Sequence, residues 1–374
     1  MAEMTSRERV QRALSHREVD RAPIDLGGTQ NSTLCAGAFE SFARFLGLHA
    51  PPVMLSLSFE TVRLPEAMLS RLPVDTRGVY ARSPATGGGR ILDDHTLVDE
   101  WGVTYRRPEG GRQYDAVAHP LAEATIADLE RYPWPDSGDP TRYAGLGDAA
   151  RDLLENTAYA VCGSTNDTVI FDRAWLLRGM ERFLSDLLLD PEFALALLEK
   201  VAEVQFRRQE RFLAQVGPYL DVIVIADDMG TQQRLLIRPD LYRRMVKPFH
   251  RRYIETIRRH TPAKIHMHAC GAISDLVEDY IEIGVDVLNP MQVAAAGMTP
   301  ESLKGRFGGR MAFWGGIDTQ WLLPHGSPEQ VRAAVRATLD VMGRDGGYVL
   351  GAVHNVQDDV PPENVWAMLD EAAR

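Results

Sequence analysis

The order of apolar and polar positions along the chain alternates between two periods. TSRERVQRALSH (5–16) carries Val10, Ala13 and Leu14 on one face and opens with Thr5 and Glu8 in capping-box spacing, which predicts a helix. RAPIDLGG (21–28) reads as a short strand ending in glycines. From about 75 to 140 the pattern is less regular, with SPATGGGR, DEWG and PWPDSGDP, and reads as excursions from the core. Beyond it the rhythm is steady. AYAVCGS (158–164) predicts a strand, then FDRAWLLRGMERFLSDLLL and PEFALALLEKVAEVQFRRQERFLAQV predict helices. DVIVIADD (221–228) is the next strand, followed by helical RPDLYRRMVKPFHRRYIETIRRH. KIHMHACG, VDVLNP, MAFWGGID and GYVLGAV are further strands, with AISDLVEDYIEIG and PEQVRAAVRATLDVMGRDG helical between them.

Short apolar strands alternating with amphipathic helices predict a parallel sheet covered by helices. About eight such strands favour a (β/α)8 barrel, a TIM barrel, over an open sheet. The expectation is one barrel domain over residues 1–374, with irregular excursions in its N-terminal part. No G-x-G-x-x-G follows a strand, so a dinucleotide-binding sheet has no support, and Gly87 to Gly89 read as a surface loop.

Composition narrows the partners. The formal charge is −11 over 374 residues, with no cluster of Lys and Arg beyond the helical face RRYIETIRR, so neither nucleic acid nor an anionic membrane is expected as a partner. Three widely spaced cysteines (Cys35, Cys162, Cys270) argue against a disulfide framework and for a reducing cytoplasm. MAEMTSRERV is charged and lacks the apolar run of a signal peptide, and no segment is apolar enough to span a membrane.

The barrel expectation gives the strand ends meaning, because active sites in this fold gather at the C-terminal mouth. Read in order, those ends supply Asp25 and Gly27, Cys162, Asp227 and Asp228, His268 and Cys270, Asn289, Asp318 and His354. In KIHMHACG the ligand types His266, His268 and Cys270 fall at period two, on one strand face. His266 lies deeper and is expected in the barrel interior, hydrogen-bonded. Cys162 is expected as a small buried filler.

HACGAISDLVEDYIEIGVDVLNPMQ, FWGGIDTQWLLPHGSPEQV and GGYVLGAVHNVQDDVPPENV, in that order, resemble the uroporphyrinogen decarboxylase superfamily. TSRERVQRALSHREVDRAPID and DDMGTQQRLLIRPDLYRRMVKPFHRR fit the same pattern, so the resemblance spans nearly the whole chain. The branch it resembles most is that of the zinc-dependent cobalamin methyltransferases, including O-demethylase components. The resemblance implies a metal site of His268, Cys270 and His354, with His354 standing where that branch usually shows a cysteine. Two imidazoles and one thiolate suit zinc and leave one tetrahedral position open. The implied reaction moves a methyl group between a small methyl ether or thiol and a corrinoid such as methylcobalamin. That corrinoid would come on a partner protein or free, since the D-x-H-x-x-G signature of a corrinoid-binding module is absent. Asp227, Asp228 and Asp318 are the candidate catalytic carboxylates, with partnership to a ligand histidine the alternative role for Asp227 or Asp228. Asp25, Gly28, Asn289 and Gln292 are expected to bind substrate. The alternatives are decarboxylation of a carboxylated tetrapyrrole or another acid, and a non-catalytic corrinoid or tetrapyrrole binder. The true decarboxylases carry an R-Q-A-G-R segment after the first strand; here IDLGGTQNST (24–33) holds no arginine or lysine to grip carboxylates.

Overall fold

The computed structural model describes residues 3–85, 87–109, 111 and 113–374, so Met1 and Ala2 of the charged N-terminal stretch and Thr86 of the glycine-rich loop lie outside the described residues. Seven parallel strands form one curled sheet: Thr76–Tyr80, Ala160–Ser164, Val222–Ala226, Lys264–His268, Val287–Asn289, Ala312–Trp314 and Tyr348–Val349, each beside its neighbour in sequence. The eighth position belongs to the segment around Ile24. On one side the Asp25 amide donates to the Leu350 carbonyl and the Leu350 amide to that of Pro23, both at 2.8 Å; on the other, Asp75 donates to Ile24 at 2.8 Å. Pro23 has no N–H to give and the glycines follow at once, so the segment bridges its neighbours without becoming a strand. Hydrogen bonding on both flanks gives the α/β barrel expected from the sequence.

The strands are buried on both faces, which is why VIVIA (222–226) is apolar without alternation. Inside the ring, Ala160, Cys162, Val222, Val224, Val287, Ala312, Trp314 and Val349 pack with Val10 and Leu14. Those last two come from the helix Ser6–Ala13 and the turn after it, which close the end where the strands begin. Its capping box is present as expected: Thr5 accepts from the Glu8 amide while the Glu8 carboxylate accepts from Thr5.

Three expectations change. Thr76–Tyr80 lies inside the stretch that reads as excursion, yet it is a barrel strand paired with Ala160–Ser164. FDRAWLLRGMERFLSDLLL is two helices, Phe171–Arg178 and Met180–Leu189, broken where Gly179 takes φ 89°. The long basic helix divides likewise into Pro239–Met245 and Lys247–His260, with Pro248 in the first turn of the second.

The true excursions roof the mouth. A four-stranded antiparallel sheet (Arg90–Asp93, Thr96–Val98, Thr104–Arg106, Asp115–Ala118) reaches the last barrel loop where Gln113 donates to Gln357 at 3.2 Å. A smaller sheet (Leu34–Cys35, Val53–Ser56, Thr61–Arg63) is tied to the loop after Ala160–Ser164 by Asn166 Nδ2 donating to the Leu55 carbonyl at 2.8 Å. Among the described residues, no helix is long and apolar enough to cross a membrane.

Candidate metal centre

His268 is the last residue of the strand Lys264–His268 and is buried, its ring facing the barrel axis above His266. Two residues on, Cys270 has left the strand and is held there by its backbone. Its amide donates to Asp228 Oδ1 at 2.7 Å, and the next amide, of Gly271, donates to Gln292 Oε1 at 2.7 Å. Gly271 has φ 93°, and a Cβ there would lie 2.4 Å from the carbonyl carbon of Gly230, so only glycine lets the loop turn at that point. The turn brings Cys270 Sγ to 3.3 Å from His268 Nε2. His354 enters from the loop after Tyr348–Val349, its ring centroid 5.1 Å from that of His268. Donor atoms of His268, Cys270 and His354 lie within 4.8 Å of one another.

The electrostatics of this cluster suit a cation. Burial pushes the His268 imidazole down to about 4, against a hydrogen bond from its ring to the Asn289 oxygen that raises it. Burial, then His268, hold His354 at about 4 as well, with Asp228 opposing. Both rings are therefore neutral at physiological pH and offer lone pairs. Burial lifts the Cys270 thiol well above its ordinary range, and the carboxylates of Asp228 and Asp172 lift it further. Burial also raises the Asp228 carboxyl. Burial is the first cause of all four shifts, and it leaves two neutral imidazoles with free lone pairs beside a thiol and a carboxyl that a bound cation would help to ionise. The donor set, two nitrogens and one sulfur with room for a fourth partner, fits zinc.

The remaining candidates divide. Asp228 stands at the cluster, 3.9 Å from His268 Nε2, with 41% of its side-chain surface still meeting solvent. Asp227 does not: it is fully buried, and its carboxylate accepts from the amides of Ile170, Phe171 and Asp172 and faces His250 Nε2 at 2.8 Å. It caps the helix Phe171–Arg178 rather than the helix that follows it in sequence, and no oxygen is left for chemistry. Asp318 likewise spends its carboxylate on the amides of Gln320, Trp321 and Leu322, starting the helix Leu322–His325. The catalytic expectation for these two gives way to a capping role.

Among the expected substrate binders, Asp25 is fully buried and accepts from Thr76 Oγ1 at 2.5 Å, the Gly28 amide and Trp314 Nε1. Gly28 is needed for that packing, since a Cβ would fall 2.2 Å from Thr76 Oγ1. Asn289 faces His268 Nδ1 at 2.5 Å and Gln292 holds the Gly271 amide, so both brace the segment that carries His268 and Cys270. His266 is interior, as expected, but neither ring nitrogen has a hydrogen-bond partner; its ring meets Trp314 edge to face at 5.1 Å. Sequence reading missed Asp172, whose carboxylate accepts from the Asp228 amide at 2.9 Å and from Trp175 Nε1 at 2.8 Å. Nothing in FDRAW distinguishes it from an ordinary first-turn acid.

The model of the family described as uroporphyrinogen decarboxylase (URO-D) matches residues 93–374, three quarters of the chain. The chain belongs to the uroporphyrinogen decarboxylase family. The uroporphyrinogen decarboxylase of Alkalilimnicola ehrlichii is 25% identical over 97% of this chain and 92% of that protein. That of Burkholderia thailandensis is 28% identical over 48% of this chain and 47% of its own length. Among solved structures, a methyltransferase from Methanosarcina mazei shares the fold, with TM-score 0.67 and 17% identity over 99% of this chain and 98% of that one.

Within this family member, two arginines bear on the chemistry, Arg77 at the start of the strand Thr76–Tyr80 and Arg173 in the helix Phe171–Arg178. Arg77 forms a two-pronged pair with Glu66 at 2.8 Å and packs over the Tyr159 ring. Arg173 is taken up by Asp99 at 2.8 Å and Asp167 at 2.5 Å. Both guanidinium groups are neutralised by the chain's own carboxylates.

Proposed function

We propose that this chain is a zinc-dependent methyltransferase, acting on a small methyl ether or thiol together with a corrinoid supplied by a partner protein or free in solution. The observation that carries the reading is the convergence of His268, Cys270 and His354 at the mouth of the barrel. Zinc bound there would supply Lewis acidity, to lower the pKa of a thiol acceptor or to stabilise a departing alkoxide. His268 and His354 contribute neutral nitrogen donors, and Cys270 contributes sulfur after losing its proton. Replacing the branch's usual second thiolate by His354 leaves less negative charge at the centre, which suits an oxygen leaving group better than a sulfur one. Asp228, partly open to solvent beside the three donors, stands where it can give a proton to a departing oxygen or take one from an arriving thiol.

The name carried by the curated relatives favours a second reading, decarboxylation of a carboxylated tetrapyrrole. A polycarboxylate needs fixed cations to hold it. The arginine-free segment 24–33 and the internal pairing of Arg77 and Arg173 count against that reading.

The separating experiment is spectroscopic. Purified protein is incubated with Co(I) cobalamin and a panel of methyl ethers, and with methylcobalamin and a panel of thiols, while the corrinoid bands are followed. Zinc-dependent gain or loss of the methyl-cobalt spectrum supports the proposal. Decarboxylation of uroporphyrinogen with no effect of chelator would replace it with the second reading.

A further inference from the structure

One of the two roles the sequence offers Asp227 or Asp228, beside that of general acid, is to back a ligand histidine. The geometry points elsewhere. Asn289 ends the strand Val287–Asn289 directly beside His268 in the parallel register. Its Oδ1 lies 2.5 Å from His268 Nδ1, and its Nδ2 lies 3.2 Å from the Trp314 carbonyl oxygen. These two contacts leave the amide one orientation. A carbonyl oxygen can only accept, so the NH2 group must face Trp314 and the amide oxygen must face the histidine. That oxygen also can only accept, so Nδ1 must carry the ring proton.

We infer that Asn289 is a positioning residue: it holds His268 as the Nδ1–H tautomer and so leaves the Nε2 lone pair directed at the space shared with Cys270 and His354. The strand register, the Asn289 oxygen on the ring and the Trp314 carbonyl that anchors the Asn289 amide fix the ring before any ion arrives, which lowers the cost of ordering it on binding. An amide in this place orients the ring without adding negative charge behind it, unlike the carboxylate that often backs a ligand histidine. The value of that lone pair for a metal rests on the zinc reading; the tautomer does not.

The test uses full-length protein labelled with 15N-histidine, prepared metal-free, with the His268 signals assigned by their loss in His268→Gln. The expected wild-type spectrum shows His268 protonated at Nδ1. In Asn289→Ala the Nε2–H form should become populated, and zinc affinity, read by chelator competition, should fall about 10- to 100-fold. Asn289→Asp loses the donor to Trp314 but keeps an acceptor at Nδ1, and should restore the Nδ1–H tautomer. A wild-type ring protonated at Nε2 overturns the inference without any variant, as does an Asn289→Ala protein that keeps the Nδ1–H form and wild-type affinity. If Asn289→Ala does not fold, the wild-type tautomer and Asn289→Asp still decide. Wild-type protein showing the Nδ1–H ring but taking up no zinc would uphold the tautomer assignment and overturn the zinc reading, so the two failures are told apart.

Discussion

Asp228 Oδ1 accepts the backbone amide of Cys270 at 2.7 Å, tying the end of one barrel strand to the ligand loop of the next. The contact is to the backbone, so it places the sulfur without consuming it. Asp227, one residue earlier, faces away and holds three amides of another helix. Two adjacent carboxylates thus have opposite jobs, and substitutions should separate them. Asp227→Ala strips partners from three buried amides and from His250, and should cost about 3–5 kcal/mol of stability. Asp228→Ala should melt within a few degrees of wild type but weaken metal retention and turnover. Thermal melts paired with metal analysis check both, and equal melting of the two variants would refute the division.

Cys270→Ala should stay folded. The barrel rests on buried strands such as Val222–Ala226 and on the helices around them, and the cluster sits at the open end of that core. Loss of metal and of methyl transfer with little change in melting temperature is the expected outcome, whereas a structural zinc would take the fold with it.

Much of this was legible in the chain. Period-two spacing in KIHMHACG paired His268 with Cys270 on one strand face, and the family resemblance added His354 as the third donor. What the sequence could not disclose lay in contacts made at a distance. TRGVY (76–80) reads poorly as a core strand, because Arg77 depends on Glu66 and Tyr159, and Gly78 leaves space that the Tyr80 ring fills. The roles of Asp227 and Asp318 turn on which amides come within reach, and no local pattern states that. Asn289 looked like a substrate binder for the same reason: its partner, His268, sits on the neighbouring strand.

Acid should loosen the base of the barrel through Asp20. Arg9 grips its carboxylate with Nε at 2.7 Å and a terminal nitrogen at 2.8 Å, and the Met4 amide adds a third bond at 2.8 Å. The Arg9 contact, first among several, holds the carboxyl well below its ordinary value. A carboxyl depressed in the folded state binds protons more readily in the unfolded chain. Its contribution is therefore full above the unfolded pKa, near 3.9, and is lost as pH falls through that value toward the folded one. Between about pH 5 and pH 3, wild-type stability should fall more steeply than that of Asp20→Asn, by about 1–2 kcal/mol. Parallel slopes in pH-dependent denaturant melts would contradict this.

The central claim is that His268, Cys270 and His354 bind one catalytic metal ion, and X-ray absorption at the zinc edge tests it most directly. Protein stripped with chelator and reloaded should hold one zinc per chain. The spectrum should fit two nitrogens at about 2.0–2.1 Å and one sulfur at about 2.3 Å, with a lighter fourth ligand completing the shell. In Cys270→Ala and in His354→Ala stoichiometric zinc binding should be lost. Wild-type protein that takes up no zinc, or a zinc shell left unchanged by both substitutions, would contradict the account.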